Sequence, residues 1–336
     1  MQEIVKKIPE LSILIGLSIV AYFVMGMFNQ LGDAGALTAN GAFLMVLGSF
    51  GFSTLIAIIA VIAGVGGGVL FTPVMLAFTS IDTVIIRSTG LVVAMFSGLV
   101  SSGPFMSKGL ASVKIVFYCA IPIVIGALLG STAAITLAET MGAQGDAIVR
   151  LLLGLILIFI AVMFIVGGSK TEYPEKGKIS KYTNWLKLSG AYYEESLGKV
   201  VHYHPSRAGI GGILFLAVGF TGGFFGLGGG WAVVPVLNLV MSTPLKISAA
   251  SSGVLLALGN SAAIWPYIQV GGLIAALAAP WMLGQVIGGI LGAHILARVK
   301  ATFVRYMLIA LLFLTSLRLV ARGLDTLFGI TIPILA

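Results

Sequence analysis

The stretch GVGGGVLFTP, Gly64 to Pro73, returns later in the chain as GLGGGWAVVP, Gly226 to Pro235. Both sit in strongly apolar sequence. Each glycine inside a helix costs about 0.8–1 kcal/mol relative to alanine, so the doubled triplet predicts two deliberate breaks. A short helix that starts at such a break turns its free N–H groups, and the positive end of its dipole, towards whatever lies beside it. Two of these helix starts facing each other suit an anion. The candidate donors are therefore Gly66, Gly67 and Gly68 in the first break and Gly228, Gly229 and Gly230 in the second. The competing reading is that these glycines serve only close helix packing.

Polar residues follow each break at matching positions. RSTG (Arg87–Gly90) aligns with ASSG (Ala250–Gly253). Ser88, Thr89, Ser251 and Ser252 are read either as hydroxyl donors to a bound oxyanion, or as helix caps and partners of upstream carbonyls. Arg87 has no basic counterpart at Ala250. It is either the anion's counter-charge or a charge at the outer mouth. Asn260, which aligns with Ser97, is costly in lipid unless it faces protein or water. Gln285 lies on a glycine-rich face. Trp231, Trp265 and Trp281 line a cavity or mark the membrane boundary. Gly126, Gly130, Gly284, Gly288 and Gly292 form small-residue seams that packing alone explains. His294, within about a turn of Arg298, reads either as a titrating group or as an interfacial residue, and Cys119 as a small buried hydrophobe.

The elements that must carry these residues follow from composition. Of 336 residues, 59% are hydrophobic and only 9% charged, against about 25% charged in a soluble domain. The chain is an integral membrane protein, and its lipid bilayer is its first partner. Apolar runs of about 16–26 residues suit helices crossing a ~30 Å core. Period-2 alternation is absent, which argues against a membrane barrel. Helices are expected at about 11–28, 42–63, 84–104, 113–138, 147–167, 209–224, 247–267, 273–297 and 303–322, with short pieces after the breaks reaching about 78 and 241. Four segments result: residues 1–41 with an N-terminal helix, a first repeat 42–167, a linker 168–208 and a second repeat 209–336. The linker region carries seven Lys or Arg and four Glu, and a short amphipathic helix is expected near Trp185–Leu197.

The halves also align at IGALLG (Ile125) with IGGILG (Ile287), and at VRLLL (Val149) with VRYML (Val304). Three helices after each hairpin is an odd number, so hairpins that enter and leave on one side require inverted repeats. The expected fold is all-α, two inverted repeats with an extra N-terminal helix. Basic residues put the N-terminus, the Lys108–Lys114 loop, the linker and the Arg298–Lys300 loop in the cytoplasm. The Glu139–Asp146 loop and the loop at Gly271 are then external. Arg318 and Arg322 dissent.

All eleven Asp and Glu fall in loops, linker or termini. Cation carriers and proton relays bury carboxylates in their spans, so this inventory favours an anion. No acid–base pair, metal-ligand spacing or nucleotide loop is present, since GVGGG lacks the Lys-Ser/Thr of a phosphate loop. No enzyme, cofactor, metal or nucleic-acid partner is expected.

The doubled G-x-G-G-G-x-x-x-x-P, the SSG helix start, NSAAIWPY at Asn260, Gly109–Leu110 with Gly272–Leu273, and the G-x-x-x-G helices resemble the TauE/SafE sulfite-exporter family. The resemblance covers nearly everything after about residue 42. It implies secondary transport of sulfite, organosulfonates such as sulfoacetate, or similar small sulfur-containing anions across a bacterial inner or plasma membrane. The extra helix and basic linker depart from the shortest members and leave a role in homodimer formation or regulation open. The alternatives are a carrier of another small anion or zwitterion, and an anion channel.

Overall fold

The computed structural model describes residues 39–330, apart from 64–65, 80, 107–108, 167–180, 195–197 and 297–300. The expected N-terminal helix at 11–28 lies outside the described residues, as do Arg298, Lys300 and Lys108.

Apolar runs become helices throughout. In order they are α1 (Ala39–Ala63), α2 (Gly68–Phe78), α3 (Thr83–Met106), α4 (Val113–Met141), α5 (Ala143–Val166), the single turn α6 (Lys181–Trp185), α7 (Ala208–Phe225), α8 (Gly230–Pro235), α9 (Leu245–Gln269), α10 (Ala275–Leu296) and α11 (Ala301–Phe328). Among the described residues, five of these are long and apolar enough to cross a membrane: α3, α4, α5, α7 and α9. Phe117, Ile121, Ile125, Leu128 and Leu129 of α4, and Ile213, Leu216 and Phe220 of α7, stay exposed. Apolar stripes of that extent suit lipid contact. The protein is a multi-span helical membrane protein. Helix ends agree with expectation to a few residues, except that α11 continues to Phe328.

One expectation fails. The Trp185–Leu197 segment is not a helix. It gives way to an antiparallel hairpin, β1 (Gly190–Glu194) with β2 (Lys199–Tyr203), in register Tyr192 with Val201 and Tyr193 with Val200. The pattern Ala-Tyr-Tyr and Lys-Val-Val-His-Tyr is rich in aromatic and β-branched residues, which favour strands. It alternates with period two: Tyr192 and Tyr203 are buried, whereas Tyr193 and Val200 are exposed. Gly198 turns the chain with φ +60°. Burial raises the Tyr203 phenol above its ordinary value, and a hydrogen bond with Ser112 partly opposes this.

Two groups of turns mark the two ends of the bundle. Asp82, Thr83, Glu139, Asp146, Gly271 and Gly272 line one cleft of ≈ 610 Å³, so the α2–α3, α4–α5 and α9–α10 turns share an end. At the other end Lys114 Nζ reaches Ser189 O (3.5 Å), Tyr118 Oη donates to Ala208 O (2.8 Å) and Ser206 N donates to Met241 O (2.8 Å). There the α3–α4 turn, the β-hairpin, the start of α7 and the chain after α8 come together.

Helix pairing crosses between the halves. α4 packs on α7, α10 on α1, α3 on α9 and α5 on α11. Glycines make the first two pairs close. A Cβ at Gly126 or Gly130 would strike the backbone of Leu216 or Phe220, and one at Gly284 or Gly288 the backbone of Phe50 or Thr54. Residue numbers rise together along both pairs, so α7 runs parallel to α4 and α1 parallel to α10.

Candidate functional site

The two glycine breaks meet. Gly66 has φ +81° and Gly228 has φ +65°, a left-handed backbone that other residues rarely adopt. A Cβ built on Gly66 would lie 3.9 Å from Gly230 Cα. Ala94 of α3 sits between the breaks: a Cβ on Gly68 would come 2.5 Å from the Ala94 methyl, and one on Gly228 2.7 Å from it. Ala94 is near the middle of α3, so the meeting point lies at mid-depth of the bundle.

Both short helices begin here. Leu70 N and Phe71 N donate to Gly67 O (3.2 and 2.9 Å), opening α2, while Ala232 N and Val233 N donate to Gly229 O (3.0 Å each), opening α8. Pro235 has no N–H and cannot continue the α-helical ladder, and at Val236–Val240 the chain widens into a π-turn. Pro73 leaves α2 helical to Phe78.

Aligned polar residues attend the breaks. Gly67 N donates to Ser97 Oγ at 2.8 Å. Asn260, the counterpart of Ser97, stands beside Gly228, whose added Cβ would lie 3.0 Å from Nδ2. Gln285 approaches Gly67 so closely that a Cβ there would collide with Oε1. Ser97 and Gln285 were visible in sequence only as a repeat match and a polar interruption. Their approach to Gly67 spans long stretches of chain, and no local signal carries it.

The serines are engaged elsewhere. Ser88 Oγ donates to Gly272 O (2.8 Å) or Ile85 O (2.9 Å), and Ser252 Oγ to Ala249 O (2.8 Å). Ser251 Oγ accepts from Ser112 N at 3.1 Å. These hydroxyls bond carbonyls or tie helices to neighbouring turns. They do not cap α3, because Asp82 does so through Val84 N (2.8 Å) and Ile85 N (3.3 Å).

Arg87 is fully buried under the cleft. Its guanidinium donates to Thr83 O (3.1 Å), Thr83 Oγ1 (3.2 Å) and Phe224 O (3.5 Å), and Asp146 lies 3.9 Å away. Thr83 Oγ1 also bonds Asp146 Oδ1. Arg87 thus holds the wall between the cleft and the second break, and a Cβ on Gly226 would lie 2.5 Å from Arg87 Cα. Arg322 donates to Leu76 O and Thr79 O (3.4 Å each), and Arg318 stacks 4.6 Å over Phe78. These two cations complement the negative C-terminal end of α2, which accounts for their place at the cleft end.

Among the described residues eight buried side-chain polar atoms have no hydrogen-bond partner, among them Thr89 Oγ1, Asn260 Nδ2, Trp231 Nε1, Trp281 Nε1 and Gln285 Oε1. Four of the eight, those of Asn260, Trp231, Trp281 and Gln285, belong to residues lining the breaks or one turn from them. Among the described residues, no group of three or more His, Cys, Asp or Glu could hold a metal ion.

The family model described as "Sulfite exporter TauE/SafE" matches residues 49–319. The chain belongs to the TauE/SafE sulfite-exporter family. It is a secondary membrane transporter of small anions and not an enzyme. The chain is 23% identical over 270 residues to "Probable membrane transporter protein YunE" of Bacillus subtilis (strain 168), an alignment that covers 78% of this chain and 92% of that protein. No solved structure matches.

Proposed function

We propose that this transporter exports small sulfur-containing anions, sulfite or an organosulfonate such as sulfoacetate, across the bacterial inner or plasma membrane. The anion binds between the breaks, at Gly66, Gly68, Gly229, Gly230 and Asn260, while Gly67 and Gly228, whose N–H groups donate to Ser97 Oγ and Gly222 O, shape the breaks. One observation carries the reading: two helix starts converge at mid-depth beside neutral donors. A sulfonate spreads one charge over three oxygens, so several N–H groups hold it without a tight ion pair. Loose, multi-donor binding also lets it leave.

Residues 42–167 and 209–336 act as inverted repeats. The α1–α2 hairpin opens towards the cleft end, since α1 runs parallel to α10 and α2 returns to Thr79. The α7–α8 hairpin opens towards the linker end, where Ser206 N meets Met241 O. Rocking of one repeat on the other exposes the site alternately. Arg87 and Thr89 border the path on the cleft side, and Ser88, Ser251 and Ser252 brace the moving helices. Export of an anion from an inside-negative cell is downhill by about 2.3 kcal/mol per charge per 100 mV, so export needs no coupled ion.

The test is binding and transport by purified protein. Sulfite and sulfoacetate should raise the unfolding temperature and show counterflow in proteoliposomes, and acetate should do neither. Asn260→Ala should weaken both effects. Equal responses to acetate and sulfite would favour a general small-anion carrier, and large unitary currents would favour a channel.

A further inference from the structure

The unpartnered atoms at the breaks are not all donors. Gln285 is fully buried, and its orientation is pinned. Its Nε2 donates to Ser53 O and reaches Ser53 Oγ, both at 3.2 Å, and Ser53 Oγ itself donates to Trp281 O at 2.6 Å. A carboxamide whose nitrogen faces a carbonyl must turn its oxygen the other way. That oxygen faces Gly67, at the first break, and has no donor. A buried acceptor left unmet is costly, and few native groups are left so without a water, ion or ligand to complete them.

N–H groups on residues around the same breaks lack acceptors. Trp281, 3% exposed, lies one turn before Gln285 on α10 and packs edge-on against Phe71 of α2 at 4.4 Å. Trp231 follows Gly230, the residue nearest Gly66, and Asn260, 4% exposed, flanks Gly228. An indole N–H can only donate. A bare anion would meet these donors, yet leave Gln285 Oε1 unsatisfied.

We infer that the transported anion also carries a hydrogen-bond donor, which Gln285 Oε1 accepts. The class is a protonated oxyanion such as hydrogensulfite, or a sulfonate bearing a hydroxyl or ammonium group. Donor-free sulfonates, sulfoacetate among them, bind the same site but more weakly than relatives that bear a hydroxyl or ammonium group. This rests on the anion site proposed above, with Gln285 as its specificity-determining group and the two indoles as donors to the anion.

The pair 2-hydroxyethanesulfonate and ethanesulfonate isolates the donor, because the two differ by one hydroxyl. Binding to detergent-purified protein is read from intrinsic tryptophan fluorescence and from thermal shift. Wild-type protein should bind the hydroxylated compound more tightly by about fivefold to a hundredfold, the range expected for one satisfied buried acceptor. Gln285→Met should bring the two affinities together, and Trp231→Phe should weaken both alike. Equal affinities in the wild type, or discrimination undiminished in Gln285→Met, would overturn the inference while leaving the anion site intact. Absence of binding by wild-type protein for every sulfonate and for sulfite would remove the anion site itself. The wild-type comparison needs no variant, so it decides the matter even if Gln285→Met fails to fold.

Discussion

At the scale of single residues, the breaks tolerate almost nothing larger than hydrogen. Gly228→Ala combines a left-handed backbone with a methyl placed 2.7 Å from Ala94 and about as close to Asn260. Strain of ~1–2 kcal/mol adds to overpacking of ~1–3 kcal/mol, so its unfolding temperature in detergent should fall markedly and anion-induced stabilisation should vanish. Gly103 is the control. It lies within α3 with nothing within 4 Å of an added Cβ. Gly103→Ala should be neutral or stabilising by up to about 1 kcal/mol, measured in the same melt. Identity of residue type was enough to pick out Gly228 in the sequence, because helix propensity makes an apolar triple glycine conspicuous. Gln285 shows in the sequence only as a polar interruption, because its meaning depends on Ser53, which is 232 residues away.

At the scale of elements, the start of α5 is fastened to the start of α3. Asp146 is 25% exposed and meets Arg87 and Thr83, and it also places a negative charge in the first turn of α5. Asp146→Asn leaves the buried guanidinium with weaker partners and removes a favourable dipole interaction. A loss of about 1–3 kcal/mol is expected, less than for a fully buried pair because water reaches the carboxylate. Loosening this wall should also open the path from the cleft. With Cys119 fully buried, a thiol introduced as Ala94→Cys should be silent to a small maleimide in the parent and reactive once Asp146→Asn is added. Unchanged labelling would mean that the wall does not gate the site. The helix limits of this region were legible from apolar run length. The strands at Gly190–Tyr203 are hard to read from sequence because the charges of the linker obscure the two-residue alternation of Tyr192, Val201 and Tyr203.

For the molecule as a whole, sidedness is the decisive quantity. If the halves are inverted, Lys199→Cys should react with an impermeant maleimide from one face of the membrane, and Glu139→Cys and Val270→Cys from the other. All three positions are exposed. Labelling of all three from one face would undo the inverted arrangement. Charge had already grouped these loops in the same way, with one exception: Arg318 and Arg322 answer to the end of α2 and not to the membrane potential. Finally, the crossing of α1 onto α10 has a consequence for synthesis. Ser53 finds Trp281 only 228 residues later. At about 5–20 residues per second, α1 waits roughly 10–50 s for the helix that covers its glycine-matched face. During that interval this face of α1 stays without its partner, and faster elongation between codons 53 and 281 should raise the yield of intact transporter.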